Sequence, residues 1–111
     1  MERHFDEELK DLKKNIFDMG VLVERAIFDS VEALKNLSRE QAEKIIAADK
    51  VIDELELAID EKCLDLLALR QPLASDLRFI AMATNIATDL ERIADLSVDI
   101  AQRVFVFFFR N

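Results

Sequence analysis

Apolar residues recur at alternating steps of four and three from the start of the chain: Phe5, Leu9, Leu12, Ile16, Met19, Val23 and Ala26. That spacing holds one stripe on one side of an α-helix and predicts a first helix over about 5–37. Beyond Ala26 the stripe is expected to drift to Ile27, Val31 and Leu34, because a 3.6-residue turn slips against a seven-residue repeat. Gly20 costs about 1 kcal/mol relative to Ala in mid-helix. It either admits a neighbouring helix closely or is a tolerated imperfection. Ser38 followed by Gln41 forms a capping-box pattern, with Leu37 and Ala42 placed for a hydrophobic staple, so a second helix should span about 39–69. Its stripe is Ala48, Ile52, Leu55, Ile59, Cys63 and Leu66. Pro72 suits the first turn of a third helix, where a missing N–H costs nothing. Asp76 adds a favourable charge near that positive helix end, and this helix should span about 73–103.

The third helix is apolar on two sides. One carries Phe79, Ile86, Ile93 and Ile100 at strict sevens; the other carries Ile80, Ala83, Ala87, Leu90, Ala94, Ser97 and Ala101. Such a helix must be covered twice, and two helices of the same chain cover one groove and part of another. The chain then ends in an apolar tail, VFVFFF from Val104 to Phe109. A run of high β-propensity without charge is an aggregation hazard when exposed. Burial against a second subunit is the simplest remedy. Membrane contact is a weaker one, since roughly 20 residues are needed to span a bilayer. With one Gly, one Pro, no Trp and no Tyr, hairpins and short strands are excluded. The expected fold is all-α, a single antiparallel three-helix bundle over 1–111 that self-associates into a homo-oligomer through the third helix and the tail.

Composition narrows the partners. Twenty-three acidic against 15 basic residues give a net charge of −8, which repels nucleic acid and anionic lipid as a whole and favours cations and basic protein surfaces. The lone Cys63 permits no intrachain disulfide and points to a reducing compartment; a small buried apolar role suits it best. No leader pattern and no transmembrane segment are legible, so a cytosolic protein is expected.

The candidate chemistry lies in two carboxylate pairs, Asp49 with Asp53 and Glu91 with Asp95. Side chains four apart are neighbours on a helix surface, and carboxylates held that close repel unless a cation, a base or water intervenes. Asp49, Asp53, Glu56 and Asp60 form a stripe about a quarter-turn from the apolar one. On the third helix Thr84, Thr88, Glu91, Asp95 and Asp99 form another, between its two apolar sides. For one pair a solvated face is the commoner reading; two pairs bordering core faces shift the balance. The expected ligands are Asp49, Asp53, Glu91 and Asp95, with Glu56, Asp60 and Asp99 as additional candidates. The ion would be divalent or trivalent and oxygen-ligated: Fe, Mn, Mg or Ca. The only histidine, His4, is too near the N-terminus to supply the Glu-x-x-His motif of di-iron oxidases. There is no phosphate-gripping Gly loop and no base to activate a nucleophile. Ser30, Ser38, Ser75 and Ser97 fit caps and helix packing. Arg92 either pairs with a carboxylate or faces a partner.

The stretch DLRFIAMATNIATDLERIADLSVDIAQR, Asp76 to Arg103, resembles the signature helix of the PhoU family of bacterial phosphate regulators. Asp49-x-x-x-Asp53 and Glu91-x-x-x-Asp95 match that family's E(D)-x-x-x-D metal-binding pattern, and Leu69-Arg70-Gln71-Pro72 also agrees with it. The resemblance reaches through about Arg103. It implies a non-enzymatic regulator of phosphate uptake and phosphate-starvation signalling. Such a regulator would be a metal-binding cytoplasmic adaptor, free or peripheral to the inner face of the membrane, between a phosphate ABC transporter ATPase and a sensor histidine kinase. The alternative is a structural helical dimerisation module with a vestigial metal site. Two departures bear on this. Family members usually carry two tandem three-helix repeats, whereas this sequence shows one and no internal duplication, so a partner subunit would replace the second. Ala94 stands where relatives often have Gly, a small-for-small change. The phenylalanine-rich end has no counterpart and suggests a truncation or reading-frame product.

Overall fold

Three helices account for nearly all of the chain in the computed structural model, which describes residues 2–69 and 73–110, with side chains described for 5–68 and 73–107. They are α1 (Glu2–Asn36), α2 (Arg39–Leu69) and α3 (Ala74–Arg110). The α1–α2 connection is two residues long, and its chemistry is local. Leu37 adopts φ 50°, the left-handed conformation that closes a helix. The Ser38 N–H then donates to the Ala33 carbonyl at 2.9 Å and the Leu37 N–H to that of Leu34 at 3.2 Å. Ser38 at once caps the next helix, its Oγ accepting from the Gln41 N–H at 3.2 Å. At the start of α3 the Asp76 carboxylate accepts from the Leu73 N–H at 3.3 Å, the half of a capping box that reaches backward. Residues 70–72, including the expected helix-starting Pro72, lie outside the described residues.

So short an α1–α2 connection forces antiparallel neighbours, and α3 returns alongside both, each helix packing on the other two. The result is a rod of 61 × 17 × 17 Å, one helix long and one bundle wide. Its core holds Leu12, Met19, Val23 and Ala26 of α1 and Ile52, Ile59, Cys63 and Leu66 of α2. From α3 come Ile80, Ala83, Ala87 and Ala94. The small-residue side of α3 therefore faces inward. Ile86 and Ile93 of the strictly spaced set remain exposed, with Phe79 and Ile100 half-buried.

Three expectations need correction. The α1 stripe does not drift to Val31 and Leu34: Val31 is 51% exposed, whereas Ser30 and Ala33 are fully buried. Small side chains let the helices close at that end, and Ser30 satisfies its hydroxyl by donating to the Ile27 carbonyl at 2.7 Å. Ala48 is exposed, and Ala42 and Ile45 instead extend the inward face of α2. Finally, α3 does not stop near Arg103 but runs through Val104 to Phe109. Val104 is buried with Ala33, Ala42, Ile45 and Ala101, and Phe105 packs on this second cluster. The Arg39 guanidinium lies 5.7 Å from the Phe105 ring centre, a cation–π distance. Packing overrides the β-propensity of the tail.

Gly20 is not a point of close approach, because a Cβ added there meets nothing within 4 Å. Gly20→Ala should therefore raise stability by about 0.5–1 kcal/mol, through lower backbone entropy in the unfolded chain. Ile80→Ala, which opens a cavity where the side chain is fully buried, should lower it by about 2–5 kcal/mol. Urea unfolding followed by circular dichroism measures both, and a Gly20→Ala variant less stable than the parent would refute the open site.

Candidate metal centre

Carboxylates of α2 stand at three- and four-residue steps, Asp49, Asp53, Glu56 and Asp60, and the inward face of α2 turns them toward α3. From α3 the polar stripe answers with Glu91 and Asp95. The two threonines in that stripe are occupied with their own helix: Thr84 Oγ1 donates to the Ile80 carbonyl at 3.2 Å and Thr88 Oγ1 to that of Thr84 at 3.1 Å. Carboxylates are left as the groups that meet across the helix seam.

Their proton affinities record the crowding. Glu91 is pushed up to about 7, first by desolvation, then by a side-chain hydrogen bond to Asp95 and by the charges of Asp95, Glu56 and Asp53. Glu56 is raised by desolvation and by Asp60, Asp53 and Asp95. Asp49 is raised by desolvation, Asp53 and Asp95. Each of these three feels charge from both its own helix and the facing one. The two sequence pairs are thus one electrostatic unit. Asp60 adds its charge at one end, on Glu56 and on the Cys63 thiol, whose pKa is raised mainly by burial. Asp99 is exposed and does not figure among the charges acting on Asp49, Glu56 or Glu91.

Among the described residues, no Lys or Arg forms an ion pair with Asp49, Asp53, Glu56, Glu91 or Asp95. Arg92, next to Glu91, turns instead to Asp89 at 3.8 Å on the solvent side. Lys62 reaches across to Asp11 of α1 at 4.0 Å. Asp49 Oδ1 is buried without a hydrogen-bond partner. An orphaned, desolvated carboxylate oxygen costs about 1–3 kcal/mol, more when charged, and such an atom requires an explanation. A hard cation would provide one, because every donor here is a carboxylate oxygen and such oxygens suit Mg, Ca, Mn or Fe. Among the described residues, no three Asp, Glu, His or Cys side chains are gathered tightly enough to hold an ion as they stand. Binding would require side-chain rotation, for which the exposed Asp53 and Asp95 have room. His4 lies outside the described side chains.

Glu56 belongs to the acidic stripe of α2 legible in the sequence and stands beside the two pairs as an additional candidate ligand. It stands three residues beyond Asp53 and seven beyond Asp49, on the same helix face, and that heptad relation was the available signal.

A family model described as the PhoU domain matches residues 16–104. The phosphate-specific transport system accessory protein PhoU homolog of Rhizobium meliloti is 48% identical over 100 residues, which covers 90% of this chain and 42% of that protein. PhoU of Escherichia coli is 37% identical over 93 residues, covering 84% of this chain and 39% of that one. The crystal structure of PhoU from Pseudomonas aeruginosa superposes with a TM-score of 0.87 at 40% identity, over 90% of this chain and 48% of that chain. The phosphate transport system regulatory protein PhoU from Streptococcus pneumoniae gives 0.85 at 38%, over 91% and 48%. The chain thus spans somewhat less than half the length of these relatives. Among the described residues no helix is long and apolar enough to cross a membrane. With the family model matching most of its length and the crystal structures reproducing its three helices, the chain belongs to the PhoU family.

Proposed function

We propose that this chain acts as a non-enzymatic regulator of phosphate uptake and phosphate-starvation signalling, a cytoplasmic adaptor whose α2–α3 seam binds a divalent or trivalent cation. The supporting observation is the charge-coupled carboxylate cluster with its unpartnered Asp49 Oδ1. The phosphate connection rests on the relatives, which are accessory or regulatory proteins of phosphate transport systems. A phosphate ABC transporter ATPase and a sensor histidine kinase are the partners this reading assigns. Asp49, Asp53, Glu91 and Asp95 would hold the ion, with Glu56 between the pairs. A bound cation supplies positive charge that lets all the carboxylates ionise together. The residues themselves do the mechanical part. Two ligands from α2 and two from α3 tie together helices otherwise joined by apolar packing, which fixes their relative register and hence the surface offered to a partner.

A second reading is favoured by one observation, that among the described residues no three ligands are pre-assembled: the site is vestigial and the chain is a structural dimerisation module. Cation dependence separates the two.

The sign of the pH effect follows from the raised pKa of Glu91. An acid that binds its proton more tightly in the folded state stabilises the fold most at low pH, below the ordinary value of 4.5. That contribution is lost as pH rises through about 7. Asp49 and Glu56 shift in the same direction. Metal-stripped protein should therefore melt at progressively lower temperature as pH rises from about 5 to about 8. Glu91→Gln should flatten that slope, while Glu24→Gln, on the exposed side of α1, should leave it unchanged.

Cations bind the deprotonated ligands, so stabilisation by Mn²⁺ should grow over the same pH interval. Saturation at a hundredfold excess over Kd adds about 2.7 kcal/mol. Asp49→Asn with Asp95→Asn should abolish it. A Mn²⁺ response that survives this double substitution would move the site elsewhere, and a parent chain with no response to Mn²⁺, Mg²⁺, Ca²⁺ or Fe²⁺ would favour the structural module.

A further inference from the structure

We infer that the outer edge of the α2–α3 seam docks a helix of a partner protein that is basic over one half of its length and apolar over the other. Helical spacing builds the two borders of this seam. On α2 the border runs Asp49, Asp53, Glu56, Asp60, Leu64 and Leu67, at three- and four-residue steps. On α3 it runs Leu73, Leu77, Thr84, Thr88, Glu91 and Asp95, at steps of three, four and seven. Because the two helices are antiparallel, both borders change character in the same direction along the rod. Leucines gather at the end next to the α2–α3 connection, and carboxylates lie toward the middle. Two relations fix that register: Cys63 Sγ stands 4.0 Å from the Ile80 carbonyl oxygen near the leucine end, and the charge of Asp95 acts on Asp49 further along.

The bundle makes no use of these leucines. Leu64 is 65% and Leu73 74% exposed, and Leu67 and Leu77 are exposed beside them. Leu57, one heptad before Leu64, is exposed as well and widens the patch. An apolar patch shared by two neighbouring helices marks a protein contact. The carboxylates at the other end are equally unserved. Among the described residues no Lys or Arg pairs with Asp49, Asp53, Glu56, Glu91 or Asp95, since Arg92 turns to Asp89 and Lys62 to Asp11. Thr84 and Thr88, which separate the two halves on α3, donate their hydroxyls to their own helix and add no charge.

This lengthwise polarity selects the occupant. A second copy laid seam on seam is mismatched in either direction: parallel, carboxylates meet carboxylates; antiparallel over the full length, leucines meet carboxylates. Anionic lipid and nucleic acid are repelled by the acidic half. From Leu67 to Asp49 the strip is roughly 27 Å long, the length of a helix of about 18 residues. A partner helix of that length sets apolar side chains on the leucines and Lys or Arg on the carboxylates. Helices recognised in this way present anchors at three- and four-residue steps, the spacing of both borders. Opposite charge at one end and apolar contact at the other also fix the direction in which it lies. The inference names the partner chemistry of the adaptor proposed above and rests on that adaptor role, but not on its cation, because a Lys or Arg of the partner meets the same oxygens.

The probe is a fluorescein-labelled synthetic helix of about 18 residues, with leucines along one half of a single stripe and lysines along the other. Its anisotropy is followed as the full chain is added in chelator at low salt. Binding with a Kd of about 10 µM or tighter is expected, weakened at least about tenfold when NaCl is raised from about 50 to about 500 mM. Peptides with glutamate in place of lysine, or with leucine and lysine alternating along the stripe, should not bind. Leu64→Gln with Leu73→Gln should weaken the contact about tenfold; both replace exposed side chains, so the fold persists. Asp53→Lys with Asp95→Lys, also at exposed positions, should move the preference from the lysine peptide to the glutamate peptide. No binding at about 100 µM chain, equal binding of the alternating peptide, or binding unmoved by the leucine substitutions would overturn the inference. Mn²⁺ stabilisation without peptide binding would sink this surface and leave the cation reading standing. Peptide binding without any Mn²⁺ response would support the surface and remove the cation.

Discussion

Burial of the alanine side of α3 sets the geometry of the whole bundle. Ala83, Ala87, Ala94 and Ala101 line the buried side of α3, and side chains that small draw helix axes toward the short end of the usual 8–10 Å range. Polar stripes bordering such a seam are pressed together with it. Hydrophobic burial along the whole rod thus does work against the mutual repulsion of Asp49, Asp53, Glu56, Glu91 and Asp95. The cluster responds through Glu91, whose carboxyl is pushed up to about 7, first by desolvation and then by a side-chain hydrogen bond and the charges of its neighbours, so that it holds its proton well above the ordinary carboxylate range. A cation at the seam would release that proton and bind the same oxygens.

The two apolar sides of α3 follow from the same choice. Once the alanine side is used for packing within the chain, the larger Ile86 and Ile93 are turned outward and exposed. The carboxylates Glu91 and Asp95 and these isoleucines lie on different faces of one helix.

Much of this was legible in the sequence, for identifiable reasons. Ser38 and Gln41 announced the α1–α2 boundary because a capping box depends only on local hydrogen bonds. The carboxylate pairs were legible because i, i+4 geometry is fixed by the helix. Choosing which apolar side of α3 faces inward was harder. The isoleucines at sevens carry more hydrophobic surface than the alanines, and only the shapes of α1 and α2 decide between large and small. Ser30 and Ala33 displaced Val31 and Leu34 for the same reason. The helical course of Val104 to Phe109 was hidden by local β-propensity, which yields where Val104 and Phe105 find partners on α1 and α2. The heptad step from Asp49 to Glu56 was legible within α2, whereas the coupling of Glu56 to Glu91 and Asp95 depends on a relation between helices that no single-helix pattern contains.

Acids of α2 and α3 form one electrostatically coupled unit, and the proposed function has a cation displace the proton held there. Carbon-13 NMR titration of the Glu91 carboxyl in metal-stripped protein, repeated with saturating Mg²⁺, reads that exchange at the atom concerned. The expected midpoint lies near 7 without the ion and is clearly lower with it. A midpoint at the ordinary 4.5 in both titrations would contradict it.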